Sequence, residues 1–191
     1  MKIIMTGASA LFSSLCIAAQ VVFMGDGFVK GWDDAGKSAW RANFAEGRYA
    51  AANFGSDGET LASLAKKVEN GNVDLAGAKV VVVAAGGEEL KEPSLAAYSP
   101  LDAILDMQSL LGAIRKRNPS AKVVLNPVFP RGKTLNDPER RRGNATRGAF
   151  RGFNNAKDVL WCDVTSNLVD AEGSRRPELF AGRASRKPNC A

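Results

Sequence analysis

Lys79-Val80-Val81-Val82-Val83-Ala84-Ala85-Gly86-Gly87 is the stretch that decides the fold. Four consecutive valines resist a helix, because β-branched side chains lose rotamer freedom there, and an unbroken apolar run marks a strand buried on both faces. Such strands belong to parallel sheets with helices on either side. Outward from this strand the pattern repeats. Upstream stand Val21 to Met24, ending in Gly25-Asp26-Gly27, and Tyr49 to Phe54, followed by Gly55-Ser56-Asp57-Gly58 and a helix from about Glu59 to Asn70. Downstream, a long helix from about Leu101 to Arg117 stops at Asn118-Pro119, and strands follow at Ala121 to Leu125 and Asp158 to Trp161. This predicts an α/β protein, a three-layer α/β/α sandwich around a five-stranded, mostly parallel, doubly wound sheet. Function in such sheets gathers at the carboxyl ends of the strands, so the loops after positions 24, 54, 85, 126 and 162 frame the candidate site.

The 191 residues suit one domain; 45% are hydrophobic and 24% charged, as in a globular protein. No repeat, low-complexity segment or interdomain linker interrupts them. A formal charge of +6 permits anionic partners without naming one. The chain has no histidine, which removes the usual proton carrier near neutral pH and any histidine-containing zinc site. Cysteines 16, 162 and 190 lack metal-ligand spacing, so neither metal nor cofactor is expected.

Met1 to Gln20 carries an early Lys2, an apolar run from Ile3 to Ala19, and small residues at Ala18 and Ala19, the pattern of a secretory signal peptide. A dinucleotide-binding start fails because Leu11, Phe12 and Ser13 stand where glycines would be required. Bulky Leu15 argues against a lipid anchor on Cys16. The expected organisation is a signal over residues 1–19 and one domain over 20–191, periplasmic or secreted. With the signal removed, no apolar run approaches the ~20 residues of a membrane span.

The loops at the predicted strand ends carry a family pattern. Gly25-Asp26-Gly27-Phe28-Val29-Lys30-Gly31-Trp32, Asn53-Phe54-Gly55-Ser56-Asp57-Gly58, the approach from Lys79 to Gly86, Phe129-Pro130-Arg131-Gly132 and Pro177-Glu178-Leu179-Phe180 occur in order at family-like spacing. Together they resemble the SGNH, or GDSL, hydrolase superfamily, in the branch of platelet-activating-factor acetylhydrolase subunits and related bacterial esterases. The resemblance covers about Val21 to Ser185 and implies the flavodoxin-like variant of the predicted sheet.

The departures from the family fall on its chemistry. Gly27 stands where the resemblance places the nucleophilic serine, and Glu88 where it places an asparagine of the oxyanion hole. The best register of the last block puts Gly182 at the aspartate and Ser185 at the histidine. Only Gly58, a backbone donor in the family, is retained. One oxyanion donor is worth ~10²–10³ in rate, whereas a carboxylate accepts hydrogen bonds and repels the developing charge. Because nucleophile and base act as a unit, restoring one does little. The expectation is therefore a noncatalytic esterase-like domain.

A second class stays open, a hydrolase acting on ester or glycosidic bonds through Asp26, Glu88 and Glu89, whose carboxyl separation a sequence cannot give. Against it, Asp26 and Glu59 read as structural acids, and Asp57, Glu88 and Glu89 as solvated loop charges. Arg131, Arg140, Arg141 and Arg142 follow the fourth strand and read either as a solvated face or as a groove for an anionic glycan or protein partner. The ligand-binding set is thus Asp26, Asn53, Gly58, Glu88, Arg131 and Arg140 to Arg142, with no nucleic acid expected. In an oxidising compartment Cys162 and Cys190 form a candidate disulfide.

Overall fold

Strands form at all five expected places, within two residues of the predicted bounds, in a computed structural model that describes residues 19–45, 49–91, 98–126, 129–132 and 134–176. They are β1 (Val21–Gly25), β2 (Ala51–Gly55), β3 (Val80–Ala84), β4 (Lys122–Leu125) and β5 (Val159–Trp161). Every pairing is parallel, in the order β2-β1-β3-β4-β5. The chain winds one way from β1 to β2 and the other way from β3 onward, so the order reverses between β1 and β3. The rule for such switch points places the crevice at their carboxyl ends.

The register explains which residues form the core. Val22, Val81, Val123 and Val159 lie in one row across the sheet, with Met24, Val83 and Leu125 in the next. All are buried. Over this face pack α3 (Leu61–Glu69), through Leu61, Leu64, Ala65 and Val68, and α4 (Pro100–Arg117), through Ala103, Met107, Leu110 and Ile114. Both sets recur at helical spacing, one apolar stripe per helix. Burying each leucine contributes roughly 1.5–3 kcal/mol. Ser99 and Asp102 close a capping box at the start of α4, and the Asn118 amide ends it by donating to the carbonyls of Leu75 and Ala78 at 2.7 and 2.8 Å.

The opposite face of the sheet is covered more thinly. Phe23, Val82 and Val124 are half-buried and Leu160 is 38% exposed. Trp40 of α2 (Lys37–Trp40) and Phe44 of the following π-helical turn, Arg41–Ala45, meet the Phe23 ring edge-on at 5.3 and 5.1 Å. That layer, α1 (Gly27–Lys30) and α5 (Pro138–Arg151) are additions to the sequence reading. Arg140, Arg141 and Arg142, expected on a loop after β4, lie instead on α5, whose buried stripe is Arg140, Gly143, Thr146 and Phe150, while Arg131 stays on the loop. Among the described residues, no helix is long and apolar enough to cross a membrane.

Candidate functional site

Close backbone approach builds the crevice. A Cβ at Gly25 would lie 2.0 Å from the Ala84 carbonyl oxygen, and one at Gly55 would lie 2.1 Å from the Lys30 nitrogen. Glycine is required at both. The buried Asp26 caps α1, its Oδ1 accepting from the Phe28 N–H at 2.9 Å, so Gly27 is the first residue of α1 and is buried. The position that the sequence resemblance assigns to the nucleophile therefore holds no side chain. Asn53, expected to face a ligand, serves the scaffold instead: its amide nitrogen donates to the Val29 carbonyl at 3.1 Å and its oxygen accepts from the Gly55 N–H at 3.0 Å. Gly58 is exposed at φ +73°, with open space where a side chain would stand. Lys30 and Asp57 form an exposed ion pair on the rim.

Beyond β3 a short 3-10 turn, Glu88–Leu90, sends its two acids in opposite directions. Glu88 pairs with Lys91 and accepts from Arg131 Nη2 at 3.3 Å. A Cβ at Gly87 would sit 2.9 Å from Asp26 Oδ2 and 3.1 Å from Arg131 Nη2, so the carboxylate and the guanidinium converge on one point of backbone. Glu89 corrects the sequence reading, for it is a buried acid, 5% exposed, and not a solvated charge. Its Oε1 accepts the Leu61 N–H at 2.6 Å, completing the start of α3, while its Oε2 has no hydrogen-bond partner among the described residues. Burial pushes this carboxyl above the ordinary range, the Leu61 N–H opposes that, and the nearby Asp106 and Asp26 charges add to it.

The three consecutive arginines do not act as a cluster, because successive residues of a helix point about 100° apart. Arg140 is 2% exposed and donates to the carbonyls of Arg131 at 2.7 Å, Gly173 at 2.7 Å and Gly132 at 3.4 Å. It ties the 129–132 loop to α5 and, buried as it is, presents no surface to a ligand. Arg141 is exposed and donates to the Asn136 carbonyl at 3.0 Å. Arg142 lines a separate cavity of about 270 Å³ with Leu90, Tyr98, Ser99, Pro100 and Thr146. Only Arg131 of the four stands in the crevice with its side chain on another side chain there.

Of the acids proposed for catalysis, Asp26 and Glu89 each hold a helix start and Glu88 is ion-paired. Among the described residues no group of acids, cysteines and histidines suits a metal ion. Cys162 is exposed with a free thiol, whereas Cys190, Gly182, Ser185 and the 177–180 block lie outside the described residues, as do residues 1–18. Two relationships escaped the sequence. Leu61 and Glu89 are 28 positions apart, and Tyr98, just ahead of α4, donates to Asp106 Oδ2 within that helix at 2.9 Å. Neither spacing carries a motif.

The chain belongs to the GDSL-like Lipase/Acylhydrolase family, whose model matches residues 23–183. It is 27% identical over 158 residues to platelet-activating factor acetylhydrolase IB subunit alpha1 of Bos taurus, a match covering 81% of this chain and 62% of the relative. The chain thus spans less than two thirds of that relative's length. Among solved structures it is similar to one from Streptococcus pneumonia described as a platelet activating factor, with a TM-score of 0.69 at 13% identity, covering 87% of this chain and 75% of that one. It is also similar to an acetyl-xylooligosaccharide esterase variant of Geobacillus, with a TM-score of 0.60 at 16% identity, covering 78% and 77%. At these identities the two structures share the fold.

Proposed function

We propose that this chain is a noncatalytic member of its family, a GDSL-fold domain that binds a ligand in the crevice without hydrolysing it. The observation that carries the reading is the environment of Gly27. The nucleophile position has no side chain, and the crevice beside it holds the Glu88–Arg131 pair where the family places a neutral amide donor. Without a hydroxyl there is no acyl-enzyme, and with a carboxylate near the oxyanion the transition state is opposed. The ligand class we propose is an anionic group, including an acidic glycan, that displaces Glu88 from Arg131.

The esterase relatives fit a second reading, hydrolysis through carboxylates, and one feature favours it: Glu89, pushed toward its neutral form, lies near enough to Asp26 for their charges to interact. Against it, each of the two already accepts a backbone N–H at a helix start. Turnover of short-chain aryl acetates and aryl glycosides by the purified protein, with fluorophosphonate labelling, separates the readings. No turnover and no label are expected; turnover abolished by Asp26→Asn would establish the carboxylate enzyme. The proposal extends to export, read from residues 1–19: amino-terminal sequencing of protein from a secreting host should begin at Gln20.

A further inference from the structure

Glu89 joins two parts of the fold that the chain separates by 28 residues, and it does so with half of its carboxyl. Oε1 receives the Leu61 N–H, the first helical residue of α3, while Oε2 is sealed from solvent with no donor reaching it among the described residues. A neutral acid tolerates that environment far better than a carboxylate, because burying an unpaired charge costs several kcal/mol more than burying a hydroxyl. The nearby acids point the same way, and burial with them outweighs the Leu61 N–H, which favours the carboxylate. Asp26 approaches from the end of β1 and Asp106 from α4, and both raise the cost of a third charge. Tyr98, ahead of α4, gives its hydroxyl proton to Asp106 and not to Glu89. From α5, Arg142 borders Leu90 and Tyr98, while Arg131 is engaged by the neighbouring Glu88.

We propose that Glu89 is a protonation-controlled latch: as the neutral acid it holds segment 86–91 against the start of α3, and as the carboxylate it releases that segment. Release breaks the Leu61 N–H to Oε1 bond and draws the adjacent Glu88 away from Arg131. The crevice then opens from its β3 side. The step is a proton loss to water, and no other reactant takes part. The device depends on the buried position of Glu89 and holds whether or not the domain binds an anion.

The test uses the whole protein and two readouts. Carboxyl carbon NMR follows the titration of Glu89 itself, while amide hydrogen exchange at Leu61 and over residues 86–91, corrected for intrinsic rates, follows the segment between pH 4.5 and 9. In the wild type, protection at Leu61 should fall by roughly tenfold per pH unit above the ordinary carboxyl value near 4.3, and level off once Glu89 has ionised. Glu89→Gln keeps the Oε1 acceptor and cannot ionise, so its protection should be high and independent of pH. A wild type whose corrected protection is flat across the Glu89 titration overturns the proposal, as does a glutamine variant that follows the wild-type profile. Should that variant fail to fold, the wild-type titration and exchange decide the matter alone.

Discussion

Arg131 and Glu88 meet at 3.3 Å across the mouth of the crevice, joining the loop that follows β3 to the one that follows β4. The contact spans 43 positions of sequence and is partly buried, so it is screened less than a surface pair. Within the pair the carboxylate and the guanidinium offset each other's charge. On the proposed noncatalytic reading, that balance governs what the site admits.

Restoring the nucleophile alone should not restore hydrolysis. Gly27→Ser places a hydroxyl at the start of α1 but supplies no base, and Glu88 still opposes the oxyanion. Aryl acetate turnover by Gly27→Ser, and by Gly27→Ser with Glu88→Asn, is expected to remain at the buffer rate. Turnover in the single variant well above buffer would show a base that the described crevice does not contain.

Binding of acidic oligosaccharides should depend on Arg131 and be indifferent to Arg141. Arg131→Ser is expected to weaken binding about tenfold or more, the scale of one lost charge-assisted hydrogen bond, whereas Arg141→Ser leaves it unchanged. Calorimetric titration with acidic and neutral oligosaccharides of equal length provides the comparison. Equal affinity for both ligands would remove the anionic assignment.

Arg140 should matter for stability and Arg141 should not, though they are adjacent. Arg140→Ala strips the partners from three carbonyls and vacates a buried volume, a loss of roughly 2–4 kcal/mol. Burial, then Arg175 and Arg147, push the Arg140 guanidinium down from its ordinary value, yet an arginine stays charged across the working range. Urea unfolding should show a large drop in midpoint for Arg140→Ala and a shift within about 0.5 kcal/mol for Arg141→Ala.

The thermal stability of the wild type should fall relative to Glu89→Gln as pH rises. A carboxyl pushed up in the folded state binds its proton more tightly there than in the unfolded chain. Its contribution is therefore complete below the unfolded value near 4.3 and is lost as pH climbs through the folded value. The difference in Tm between variant and wild type should be smallest near pH 4 and grow toward pH 8. A difference that shrinks with pH would reverse the assignment.

The strands were legible because valine runs such as 80–83 and the glycines that follow them are local signals. The helix around Phe150 was not, because Arg140, Gly143 and Thr146 are buried in place of the leucines that a helical period normally shows. In the candidate site, Gly27 and Glu88 were singled out by ordered motifs, which are local signals. The roles of Glu89 and Arg140 could not, since both follow from burial and from partners distant in sequence, Leu61 for one and Gly173 for the other. A charged residue read along the chain looks solvated until the fold shows what covers it.

The uneven cover of the sheet also sets how freely its strands can drift in sequence. Along β3, Val81 and Val83 point into the packed face, while Val80 and Val82 point to the thin one. Neighbouring valines of identical chemistry therefore live under different tolerances: a threonine buries an unpaired hydroxyl at the first pair and can hydrate it at the second. Divergence among descendants of this chain would accumulate at every other residue of the strand, writing the layer asymmetry into a period-two pattern of change.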